Sequence, residues 1–147
     1  MKLVDTDETV VLVIGASITA VERDLPLAQM LQAEIDRRGD GLAYRRAVLV
    51  NDTCYLENRP FHAYPTIAIG GPGANGVSQE FSSVLPTLYN RLEQVFVQAD
   101  FEGEAKRAAV WGVTAGHTEA AVQVFMTQGF LDDLLGRIWR FRAEIFV

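Results

Sequence analysis

A single cysteine, Cys54, is all that this 147-residue sequence contains. No internal disulfide can staple the chain and no multi-cysteine zinc site can form, and a reducing, cytoplasmic setting fits better than secretion. Histidine is almost as scarce. His62 and His117 are the only two, which leaves little for a transition-metal centre, so no metal site is expected. Positive charge is short as well: 13 Lys and Arg stand against 19 Asp and Glu, a net charge of −6 that opposes the counterion release behind nucleic-acid binding. Long apolar runs are missing. Stretches such as VVLVIGA fall far below the roughly 20 residues of a membrane-crossing helix, and no membrane partner is expected. Three acids (Asp5, Asp7, Glu8) precede that run, the reverse of the basic start of a secretory signal. The sequence has no G-x-S-x-G elbow, no Walker lysine and no H-E-x-x-H, which sets aside the hydrolases, NTPases and zinc enzymes built on those motifs.

What is present reads as one α/β domain over residues 1–147. β-branched runs near 9–15, 44–50, 65–69, 95–100 and 108–113 predict strands. Between the first two, DLPLAQMLQAEIDRRG predicts a helix capped by Asp24, with Pro26 in its first turn and Gly39 after its basic end. CYLENRPFHAYP reads as a long polar and aromatic connection. VSQEFSSVLPTLYNRLEQ predicts two short helices or one kinked at Pro86. Val95–Asp100 and Ala108–Val113 are spaced for a hairpin, and helix follows to the chain end. This alternation predicts a three-layer, Rossmann-like arrangement: a mainly parallel sheet flanked by helices, with an antiparallel edge hairpin.

Ligands of such folds bind beyond the carboxyl ends of the strands. The segments leaving those ends are Ser17–Thr19, Asn51–Cys54, Gly70–Gly76 and Thr114–His117, rich in small, hydroxyl and amide side chains. Within IAIGGPGANGVSQEF, Gly71-Pro-Gly73-Ala-Asn-Gly76 satisfies G-x-G-x-x-G after a predicted strand and before a helix. Yet it follows a later strand than the first, and Pro72 removes an amide donor. The same residues also serve a plain turn, with glycines at positive φ and Asn75 as a helix cap. Ser17, Gly71, Gly73, Asn75, Gly76 and Thr114 are the candidate ligand-binding residues. His117, Asp52 and Cys54 are the candidate catalytic groups: a histidine kept neutral by a helix start, a carboxylate and a thiol. His62, between Phe61 and Tyr64, reads as packed. No particular cofactor is indicated.

IGGPGAN and, some forty residues on, AAVWGVTAGHTEAAVQVF resemble a pair of motifs in archaeal surface-layer proteins. There a GGP-x-x-N turn precedes a V-x-G segment and a T-x-x-A helix. The resemblance touches Gly70, Gly71, Pro72, Asn75, Gly112, Thr118 and Ala121. It implies an α/β domain that holds structure or binds partners and performs no reaction. Two functional expectations stand side by side: a non-catalytic self-associating or partner-binding module, and a small-anion or nucleotide-binding domain, an enzyme among the options, using loop 70–76. The apolar chain end predicts a homo-oligomer with Leu134, Ile138, Trp139 and Phe141 at the contact, unless the tail caps the core of its own chain.

Overall fold

Val10–Ile14 forms strand β1, and all five of its side chains are buried, as befits an uninterrupted apolar run in the middle of a parallel sheet. The computed structural model describes residues 8–139. After β1 come helix α1 (Ile18–Gly39), β2 (Ala47–Asn51), α2 (Asp52–Glu57), a 3₁₀ turn (Arg59–Ala63), β3 (Thr66–Ile69) and α3 (Gly76–Ser82). Then follow β4 (Thr87–Arg91), β5 (Val95–Asp100), β6 (Arg107–Gly112), α4 (Ala115–Thr127) and α5 (Phe130–Ile138). The strands make one six-stranded mixed sheet in the order β2-β1-β3-β6-β5-β4. β2, β1, β3 and β6 run parallel, and β5 is antiparallel to both of its neighbours. The expected hairpin is β5–β6, in register from Val95 opposite Gly112 to Asp100 opposite Arg107.

Alternate strand residues feed two apolar clusters. Val10, Leu12, Ile14, Ile67, Ile69, Val97 and Val110 pack with Leu31 and Ile35 of α1, Phe125 of α4 and Leu134 of α5. Val11, Val13, Ala68 and Ala109 pack with Tyr55 of α2 and Val77 and Phe81 of α3. Each fully buried Val, Leu, Ile or Phe contributes about 1.5–3 kcal/mol, so both clusters matter to stability.

Three local expectations are corrected. α1 begins about two turns earlier than expected: Ser17, not Asp24, is its cap, accepting from the Ala20 N–H at 3.1 Å. Asp24 therefore lies inside the helix, buried, and Pro26 is an interior proline. The lost bond is tolerated because Ala20, Ala28, Leu31 and Ile35 seat the helix on the sheet. The connection 54–65 is folded rather than irregular, since Asn51 Oδ1 accepts from the Cys54 N–H at 2.7 Å and starts α2. Beyond Pro86 the chain is strand β4, not a second helix. Leu92 (φ 54) and Glu93 (φ 58) are both left-handed, and the Gln94 N–H reaches Arg91 O at 3.0 Å. That is a type I′ reversal, which suits the twist of paired strands.

The last helix uses its apolar residues within the chain. Leu131 and Leu134 are buried, Ile138 packs on the core, and Phe130 stacks on Phe125 at 6.3 Å. Trp139 donates from Nε1 to Glu8 O at 2.7 Å, with the Arg45 guanidinium 5.8 Å from its ring centre. Of the residues expected at a contact between copies, Leu134 is buried within its own chain, Ile138 and Trp139 are half-buried against it, and Phe141 lies outside the described residues. Among the described residues no helix is long and apolar enough to cross a membrane.

Candidate functional site

Asn75 ties the strand-end rim together. Its Oδ1 accepts from the N–H groups of Val77 and Ser78 at 2.9 and 3.2 Å, and its Nδ2 donates to Val13 O and Ile69 O, both at 3.0 Å. One buried side chain therefore caps α3 and links the ends of β1 and β3. The next amide, Gly76, donates to Asp52 Oδ2 at 2.8 Å, while Oδ1 of the same carboxylate accepts from the Thr53 N–H at 2.8 Å. A carboxylate of the chain itself thus stands at the start of α3, where a dinucleotide phosphate would need open amides. In the loop before it, Ala74 and Asn75 both donate to Gly71 O at 3.0 Å. Gly70 (φ 108) makes the turn with its Cα against Asp24: an added Cβ would lie 2.5 Å from Asp24 Oδ2.

Asp24 is the odd group of the rim. Its side chain is wholly buried, Oδ1 lies 3.4 Å from Arg23 Nε, and Oδ2 has no hydrogen-bond partner among the described residues. Burial pushes its carboxyl above the ordinary aspartate range, with Arg23 opposing only in part.

On the far side of the loop, Gly112 lets α4 sit hard on the end of β6, where a Cβ would come within 2.3 Å of His117. The Gly112 N–H donates to Thr118 Oγ1 at 3.1 Å. Thr114 caps α4, its Oγ1 accepting from the His117 N–H at 3.1 Å and lying 3.0 Å from Nδ1 of that ring. The segments around Gly70 and Gly112 are side by side, since β3 and β6 are paired. Gly70 and Gly112 allow close approach, Asn75 and Thr118 bond backbone, and Ala121 is core.

Between these segments is an open cleft of about 450 Å³ lined by Arg23, Gly71–Ala74, Trp111–Thr114 and Thr118. Of the expected ligand-binding residues it gathers Gly71, Gly73 and Thr114. Ser17, Asn75 and Gly76 are instead engaged in helix starts. The candidate catalytic groups are not assembled. Asp52 and Cys54 follow β2 and His117 follows β6, three strand spacings or about 14 Å away across the sheet. Cys54 is half-buried, with Asn58 Nδ2 3.8 Å from its sulfur. His62 stacks on Tyr55 at 4.7 Å with Nε2 2.9 Å from Tyr55 O, but it does so at the surface, exposed to solvent rather than packed in the core as expected. No three His, Cys, Asp or Glu side chains cluster to hold a metal among the described residues.

A second surface escaped sequence reasoning. Phe96 of β5 and Trp111 of β6 are paired across the sheet and stacked at 4.3 Å, both only half-buried. Trp111 Nε1 donates to Gln98 Oε1 at 2.9 Å, and Gln98 Nε2 donates in turn to Ser82 O and Thr87 Oγ1, both at 3.3 Å. At the same end of the sheet, Leu88 of β4 (51% exposed), Leu92 of the β4–β5 turn (82%) and Val113 after β6 (56%) are exposed. The spacing of Phe96 and Gln98, and of Trp111 and Val113, was the available signal: alternate residues share a strand face. Compared with known proteins, the chain matches no family model, and no curated protein resembles it significantly in sequence.

Proposed function

We propose that this chain is a non-catalytic partner-binding module, a three-layer Rossmann-like domain of the cytoplasm, and that it binds through the open face of β4, β5 and β6. The two apolar clusters on alternate strand residues support the layering, and the lone half-buried thiol suits a reducing compartment. The observation that carries the binding role is the Phe96–Trp111 stack, held in place by Gln98 yet left half-open to solvent. Rigid aromatic groups with little side-chain entropy left to lose are what binding hot spots are made of. The surface-layer resemblance points the same way. A reaction centre has less support, because Asp52 is engaged by the Gly76 amide and His117 by Thr114, at helix starts far apart.

The experiment is a selection of peptides from a random display library on the domain, immobilised sparsely. Enrichment of apolar peptides that fail to bind a folded Phe96→Asp variant is the expected result. No enrichment, or binding indifferent to that change, would contradict the reading.

A second reading, a small-anion or nucleotide site, is favoured by Arg23 in the cleft and by the Ala115 and Gly116 amides of the first turn of α4. Neither amide has a partner among the described residues, and such amides suit an anion.

A further inference from the structure

The two edges of the sheet are finished differently. At the start of β2 the backbone of Ala47 is engaged by α1: its N–H donates to Asp36 Oδ1 at 2.9 Å and its C=O accepts from Gln32 Nε2 at 3.1 Å. At β4, which has β5 on one side only, no described side chain bonds the backbone of Leu88, Tyr89 or Asn90. Four of its five residues are exposed, and it has no lysine to discourage pairing. The bulge between Thr87 and Tyr89 lies at its beginning, leaving the stretch toward Arg91 regular. The hairpin that closes it holds Leu92 left-handed at 82% exposure. A bulky apolar side chain rarely adopts that backbone, and strain kept at an exposed tip is a mark of function.

We infer that β4 pairs antiparallel with β4 of a second copy about a two-fold axis at Asn90, joining two sheets into one of twelve strands. The residues themselves choose the occupant and the register. With Asn90 opposite Asn90, Tyr89 of each copy faces Arg91 of the other, Leu88 at the bulge comes toward Leu92 in the turn of the other copy, and no like charges meet. An axis at Tyr89 would set Leu88 against Asn90, and an axis at Arg91 would oppose two guanidiniums, which is destabilising. The backbone agrees. Arg91 C=O turns inward to accept from Gln94, so the neighbouring Asn90 groups turn outward, as a hydrogen-bonded pair on the axis requires. One strand pair is a small contact by the standard of stable interfaces, about 1,200–2,000 Å², so the dimer belongs in the micromolar range. This edge shares Leu88 and Leu92 with the margin of the aromatic face, but Phe96 and Trp111 lie one and two strands in from it, so peptide binding and pairing read different residues.

The test is disulfide trapping on the full chain with Cys54→Ser. Hydrogen-bonded antiparallel partners have Cα atoms about 5.5 Å apart, within the span of a disulfide. An Asn90→Cys variant should therefore form a covalent dimer under mild oxidation, while Glu104→Cys, in the exposed β5–β6 turn, should not. Sedimentation velocity of the unmodified chain should show reversible dimerisation at micromolar concentration, and Leu88→Lys should be a folded monomer. A monomeric unmodified chain, equal trapping at both cysteines, or a Leu88→Lys variant that still dimerises overturns the proposal. Because peptide selection reads the aromatic face, its success beside a monomeric chain would remove the dimer alone.

Discussion

Replacing Asp24 with asparagine should stabilise the protein at neutral pH. The carboxyl is wholly buried, its Oδ2 has no partner among the described residues, and its one ionic contact, to Arg23 Nε, is long at 3.4 Å. Burial raises its folded-state pKa above the ordinary value of 3.8. The sign follows from linkage: a raised folded pKa gives a contribution fully present below the unfolded value and lost as pH rises through the folded one. Leaving a buried polar group unsatisfied costs about 1–3 kcal/mol, more when it is charged. Asparagine keeps the shape and cannot ionise. The two proteins should melt closest together below the ordinary value of 3.8, where the carboxyl is protonated in both states, and the variant should lead by about 1–3 kcal/mol near about pH 7. At this chain length each kcal/mol moves Tm by about 2–4 °C, within reach of calorimetry or circular dichroism. The readout is the difference between the two proteins at each pH, so other titrating groups cancel. A variant less stable than the parent at neutral pH, or a difference that does not change with pH, would refute the reasoning and make the Arg23 contact a net favourable one.

Asn75→Ala should cost at least about 3 kcal/mol in urea unfolding, because it uncaps α3 and strands the buried carbonyls of Val13 and Ile69 together; a loss under about 1 kcal/mol would show the rim bound by something else. Leu92→Gly should raise stability by roughly 1 kcal/mol by relieving a left-handed leucine, while weakening self-association; a less stable variant would show that the tip is unstrained. If the cleft takes an anion, a phosphorylated metabolite or nucleotide at a hundred times its Kd should add about 2.7 kcal/mol in a thermal-shift screen and lose the effect in Arg23→Ala. Silence across the panel would remove that reading.

Much of the fold was legible because local and tertiary signals agree. β1 is apolar at every position and buried at every position. β5 and β6 are short apolar runs across a turn-rich link, and Asn75 is an amide where a helix needs a cap. The misreadings fall where a residue suits two local structures and distant contacts decide. Ser17 and Asp24 can each cap a helix, and only the packing of Ala20 and Ala28 on the sheet shows that α1 runs through Pro26. Leu85, Leu88 and Leu92 have helical spacing, yet Pro86 and the left-handed Leu92–Glu93 pair turn the chain into a hairpin. The candidate ligand-binding residues do meet at one rim, but several of their polar groups serve the chain's own helix starts. The aromatic surface was hidden for a related reason. Strand periodicity shows that Phe96 and Trp111 can lie on the sheet, but their exposure depends on where α3 ends.

The most direct measurement uses Trp111 as its own reporter. Trp111 and Trp139 are the only tryptophans, so Trp139→Phe leaves one emitter in the proposed surface, and its fluorescence can be followed as a selected peptide is titrated in. The account predicts a saturable blue shift, as bound peptide removes water from the half-open indole, with a midpoint equal to the Kd measured by calorimetry. Calorimetric binding with no change in Trp111 emission would place the partner elsewhere and contradict the account.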